Sequence, residues 1–159
     1  QMQLTTSLND ALNNQVVMEL HNQIIYMQLE SYFEDLQLKK IASYFKKQSV
    51  EEKNHADKFM SYINDRTGGK VVLSEVLEPP TMSGLDVSAI ADLYIKVEEE
   101  TTESIESIYE LANDEKSYID LPFVLEMLQL QVPEEDEAQE FAIKAKNVKD
   151  LVLWDASFE

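Results

Sequence analysis

A carboxylate in the middle of an apolar helical stripe is the feature that most limits what this chain can become. Between Ile41 and Phe59 the sequence reads at 3.6 residues per turn, with Ile41, Ala42, Phe45, Ser49, Ala56, Phe59 and, beyond, Ile63 on one side. Glu52 falls inside that stripe, one heptad after Phe45 and one before Phe59, and His55 lies three residues on, beside it on the same surface. An ionised carboxylate on a buried face without a partner costs on the order of several kcal/mol in desolvation. A bound cation is one partner that removes the cost, and carboxylate and imidazole at i and i+3 are a metal pair that helix bundles present inward. In a chain this rich in glutamate the Glu-x-x-His spelling also arises by chance. Its position on the apolar face, not its spelling, gives it weight.

The rest of the chain supports a helical domain. The 159 residues hold only three glycines and four prolines, which favours helices over a sheet fold, and suffice for one domain, 1–159, with a sizeable core. There is no cysteine, so thiolate metal sites and disulfides are excluded and a cytoplasmic setting is expected. No apolar run is long enough for a membrane span, and no secretory signal is expected. The net charge of −18 argues against nucleic acid as a partner, although most of these acids solvate helix faces.

Taken in order, hydroxyl caps at Thr5, Thr6 and Ser7 open a first helix expected over about 7–33. Leu8, Leu12, Val16, Glu19, Tyr26 and Phe33 form its stripe, so Glu19 is a second acid on an apolar face. His21 does not share that face and reads as a solvent or interface residue. A short connection leads to a second, antiparallel helix over about 38–65, ended by Gly68 and Gly69. Residues 70–86 contain Val71, Val72, Leu73, Val76 and Leu77, yet Pro79-Pro80 forbids a helix. An extended, docked crossover is expected, making helices two and three parallel.

Asp86 or Ser88 caps a third helix over about 87–113, with Thr101 at the centre of its stripe and Glu98, Glu99, Glu100, Glu103, Glu106 and Glu110 mostly flanking. Asp120 is expected to cap the fourth helix, with Pro122 near its first position. The fourth stripe includes Val124, Met127, Gln131, Glu134, Ala138 and Phe141. Pro133 lies inside it, so the fourth helix either kinks there, the favoured reading, or divides into two helices, the second opening at Pro133 with acids in its first turn. The tail from Asp150 predicts a small fifth helix.

Four long helices, a long second crossover and inward acids together resemble the ferritin family, within it the non-haem bacterial type. The segments that carry the likeness are Leu8-Asn-x-Ala-Leu-Asn-x-Gln15, Glu19-Leu, Tyr26, Glu51-Glu52-Lys-Asn-His55-Ala, Ile108-Tyr-Glu-Leu-Ala112, and Gln131 with Glu134. The resemblance implies an all-α, ferritin-like four-helix bundle with a long crossover between helices two and three and a short C-terminal fifth helix. It implies a homo-oligomeric shell of twenty-four subunits that stores iron as ferric mineral, with a diiron ferroxidase centre holding up to two irons and no haem. Carried over, Glu19 and His55 hold the first iron, Glu52 bridges both, Tyr26 stands beside the site, and Gln131 and Glu134 match the fourth-helix positions. The fifth helix lines the four-fold axis. Only one Glu-x-x-His is present, which disfavours rubrerythrins and haem-containing bacterioferritins.

One departure is expected. Counting back from Ile108-Tyr-Glu-Leu-Ala112 puts Thr101 where the family has a third-helix glutamate, and threonine is a poor ligand for hard Fe²⁺ or Fe³⁺. Glu98, one turn earlier, or Glu100, next door, could reach in. The leading expectation is an iron-storing ferritin cage that oxidises Fe²⁺ with oxygen or peroxide, its second iron site impaired. The alternatives are a ferritin-fold cage with a degraded centre, serving as a structural subunit, and an acidic bundle that binds partners only.

Overall fold

In the computed structural model, which describes residues 3–159, the chain forms α1 (Thr6–Asp35), α2 (Lys39–Asp65), α3 (Val87–Asp114), α4 (Leu121–Asn147) and α5 (Leu151–Ala156), with a short 3₁₀ turn before α4. The expected starts hold. The Thr5 hydroxyl accepts from Leu8 N at 3.2 Å, and Asp86, not Ser88, caps α3 by accepting from Ala89 N at 2.8 Å. After α2 the chain turns through Gly68, whose φ is +82°. A side chain at Gly69 would place its Cβ 1.9 Å from the Ile63 carbonyl oxygen, so only glycine fits there.

Cross-helix bonds give the directions. Antiparallel to α1, α3 meets it through Tyr26–Glu98, Asn22–Thr101 and Gln15–Ser104; α4 returns along α3, with Lys146 on Ser88 and Gln131 on Glu98. The crossover runs the length of α1. Asn13 accepts from Val72 N at 2.6 Å and donates to Lys70 O at 2.8 Å, His21 meets Glu78 O, and Tyr32 donates to Leu85 O. This delivers the chain to the end of the bundle where α2 begins, so α2 and α3 are parallel. The crossover is docked through its backbone. Its apolar side chains do not follow: Val72 is 62% exposed and Leu77 64%.

One helix start departs from its expected cap, and another is capped from a distant helix. Asp120 sits at the start of α4, but its side chain does not cap it. Its carboxylate is buried and taken by Arg66, at 2.6 Å from Nε and 3.1 Å from Nη2, and by the Tyr62 hydroxyl. A paired guanidinium outcompetes a backbone N–H for a carboxylate. The start of α2, at Leu38, has no side-chain cap of its own. Instead Asp155 of α5 accepts from Ile41 N at 2.9 Å, while Trp154 packs on Phe141 with ring centroids 5.1 Å apart. Pro133 lies within α4, which is continuous from Leu121 to Asn147 rather than two helices.

The core is divided. One apolar cluster joins Ile25–Phe33 of α1, Leu38–Phe45 of α2, Ile90–Val97 of α3 and Ala138–Ala145 of α4. The other joins Leu8–Val16, Ala56–Ile63, Ile105–Ala112 and Val124–Met127. Between them each of the four long helices buries polar residues: Glu19 and Asn22, Glu52 and His55, Glu98 and Thr101, Gln131 and Glu134.

Candidate metal centre

This polar girdle is built by helical register. On α1, Glu19 is seven residues before Tyr26, two turns along the same face; on α2, Glu52 and His55 occupy the gap between Phe45 and Phe59. The structure brings two groups of ligand atoms together, each within 4.8 Å of one another: Glu19, Glu52 and His55, and Glu52, Glu98 and Glu134. Glu52 belongs to both and can therefore bridge two cations.

The third-helix carboxylate is Glu98. It is fully buried, whereas Glu100 is exposed and lies 3.8 Å from Lys96. Thus Glu98 is not a flanking acid, and Glu100 does not reach the site. Thr101 is buried at the stripe centre, as its periodicity predicts. Its hydroxyl donates to Val97 O at 2.8 Å and accepts from Asn22 Nδ2 at 2.7 Å, so it is spent within the bundle. A threonine at 101 leaves the second group with three carboxylates, because Glu98 enters one turn earlier.

Hydrogen bonding divides the acids into two kinds. Glu98 is satisfied at both oxygens: Tyr26 donates to Oε2 at 2.5 Å and Gln131 Nε2 to Oε1 at 3.2 Å. Both oxygens of Glu19 and of Glu52, Oε2 of Glu134 and Nδ1 of His55 are buried with no hydrogen-bond partner. Buried polar atoms are nearly always paired, so this concentration needs a cause. His55 Nδ1 is 3.6 Å from Glu52 Oε2, too far for a good bond.

The electrostatics agree. Burial, then the neighbouring Glu52, holds the Glu19 carboxyl well above its ordinary range. Burial and Glu98 do the same to Glu52. Burial, Glu98 and Glu51 push Glu134 up to about 9. Burial also raises Glu98, but the bonds from Tyr26 and Gln131 oppose it. Without cations these acids must share protons, since acids packed this closely cannot all ionise. Four carboxylates, Glu19, Glu52, Glu98 and Glu134, carry −4 when ionised, which two divalent cations at +2 each would balance. The donor set, carboxylate oxygens and one imidazole, suits a hard or borderline first-row cation.

A four-helix bundle with inward carboxylates, one Glu-x-x-His and two ligand groups that share Glu52 offers a candidate metal site. The ferritin-like domain family model matches residues 9–148, and the chain belongs to that family. Among solved structures it is similar to an open-pore ferritin of the hyperthermophilic archaeon Archaeoglobus fulgidus, 27% identical over 97% of this chain and 96% of that one, with a TM-score of 0.91. It is also similar to a humanised archaeal ferritin, 25% identical over 97% and 96%, with the same TM-score.

Sequence reasoning named Glu19, Glu52, His55, Gln131, Glu134 and Tyr26 as candidates, and the structure brings these six side chains together. It placed Glu98 only as one of two candidates. It missed Asn22, whose signal was available: Asn22 falls between Glu19 and Tyr26 on the same face.

Proposed function

We propose that this chain stores iron, taking Fe²⁺ into the bundle and oxidising it to Fe³⁺ for deposition as mineral inside an oligomeric shell. The observation that carries the reading is the set of buried, facing Glu19 and Glu52 oxygens with no hydrogen-bond donor. In this reading Glu19 and His55 bind one Fe²⁺, Glu98 and Glu134 bind the other, Gln131 flanks the second, and Glu52 bridges the pair. Tyr26 orients Glu98 through its hydroxyl. Each iron gives up one electron, and a pair reduces one O₂ by two electrons, forming hydrogen peroxide with two protons; peroxide is the alternative oxidant. A dense carboxylate environment stabilises the higher charge of Fe³⁺ over Fe²⁺, so oxidation is favoured at the site. The three-carboxylate group around Glu98 supports a working second site over a degraded one.

Self-assembly is part of the reading. The crossover exposes Val72, Leu73 and Leu77, and α5 exposes Val152 and Leu153; both are apolar patches that a second copy would cover. A cytoplasmic shell of twenty-four subunits is the proposed form, as the family resemblance implies.

The test is oxygen-dependent oxidation of added Fe²⁺, followed by absorbance. The wild type should outpace buffer, and Glu52→Ala and His55→Ala should lose the activity. A wild type no faster than buffer overturns the proposal. Sedimentation of the same preparation reads the assembly.

A further inference from the structure

Gln131 is buried and approaches Glu98 with its nitrogen, and the orientation of that amide decides whether Glu98 is satisfied or opposed. The residue that makes the choice is not one of the metal-facing acids. Thr102, half-buried on α3, donates its single hydroxyl proton to Glu98 O at 3.1 Å. With that proton spent, its oxygen can only accept toward Gln131, and Gln131 Nε2 lies 3.2 Å away. The same amide nitrogen has a second hydrogen, which it gives to Glu98 Oε1 at 3.2 Å. Turned over, the amide would set its oxygen against the Glu98 carboxylate, the Glu98 carbonyl and the Thr102 oxygen, three acceptors with no free proton.

We propose that Thr102 is a positioning residue for the second metal: it fixes the Gln131 amide so that Glu98 is presented in one orientation. Tyr26 holds the other oxygen, so Glu98 is fastened from both sides before any ion arrives. The threonine matters most when a cation draws on Glu98. Its carboxylate then accepts less strongly from Gln131, and Thr102 at 3.2 Å, the nearer of the two remaining acceptors beside the Glu98 carbonyl at 3.4 Å, keeps the amide from rotating. Glu19 and Glu52 have no such scaffold, so the effect is confined to one half of the centre. This inference rests on the reading of the centre as a two-metal site.

Cobalt(II), which binds carboxylate and imidazole without reacting with oxygen at the site, is the probe. Calorimetric titration of the assembled, metal-free protein should resolve two Co²⁺ per subunit in the wild type. In Thr102→Val, which keeps the shape and removes the hydroxyl, the second ion should bind about three- to tenfold more weakly, the worth of one neutral hydrogen bond, with the first unchanged. Thr102→Ser should restore it. Equal affinities in wild type and Thr102→Val overturn the proposal. So does a loss shared by both ions, or one that serine does not rescue, since either marks a merely structural role. A wild type that binds no Co²⁺ refutes the two-metal reading itself, and is told apart because the failure precedes any substitution.

Discussion

Replacing Glu19 by glutamine should stabilise the metal-free protein while destroying much of its response to metal. Glu19 is fully buried, both its oxygens lack a donor, and Glu52 faces it with two more unpartnered oxygens. Glutamine keeps the volume, removes the charge and brings N–H donors that Glu52 can accept. Relieving a buried unsatisfied group is worth about 1–3 kcal/mol. At about 2–4 °C per kcal/mol for a chain of this size, the melting temperature should rise by roughly 2–12 °C. The sign depends on pH. The folded-state value of Glu19 is raised above its ordinary 4.5, so the folded chain holds more protons than the unfolded one. Stability from this group is therefore intact below about pH 4.5 and falls as pH rises toward the folded value. The gain in Glu19→Gln should be small at pH 5 and larger at pH 8. The assay is thermal unfolding by circular dichroism in chelator, at fixed protomer concentration, then with Co²⁺. Wild type should gain about 2.7 kcal/mol at a hundredfold excess over Kd, and the variant much less. A metal-free variant that melts below wild type at pH 8, or one that gains as much from metal, would refute the argument.

Further outcomes follow from the same structure. Because Glu19, Glu52 and Glu134 sit above their ordinary values, with Glu134 at about 9, metal binding at pH 7 should release protons, and a pH-stat should record less release at pH 9. Asp155→Ala removes the donated cap of α2 and should cost about 1 kcal/mol, read by denaturant unfolding; no change would show that the Ile41 N–H finds water instead. Asp120→Ala removes the carboxylate that Arg66 and Tyr62 share and should cost about 1–3 kcal/mol by the same measurement, with metal affinity unchanged because the site is elsewhere.

What could be read from the sequence was what repeats locally. The stripes of α1 and α2 expose Glu19, Glu52 and His55 as acids and imidazole among apolar residues, and a helix that fills two apolar clusters with a polar gap between them announces a site. Glu98 was harder because it opens the run Glu98-Glu99-Glu100. Three acids in a row differ by about 100° each around the helix, and composition alone does not say which points inward. Its spacing does: Glu98 is four residues after Tyr94 and three before Thr101, both buried. Counting from a family motif drew attention to Thr101, one turn past the carboxylate that joins Glu52 and Glu134. Asp120 and Asp155 were opaque for another reason. The pattern around Asp120 is a cap, but Arg66, 54 residues away, claims it, and Asp155 serves a backbone N–H 114 residues earlier. Such pairings are tertiary, and periodicity carries no trace of them. The crossover was read as docked because it is apolar, whereas Asn9 and Asn13 hold its backbone and leave Val72 and Leu77 outward.

The bond from Asp155 to the start of α2 also sets an order of events during synthesis. Residues 39–65 leave the ribosome long before residue 155, so while the chain grows the second helix has a frayed first turn and Phe141 lacks its tryptophan cover. Any chain released short of residue 155 would lack that bond to the first turn of α2 and be left with the turn uncapped.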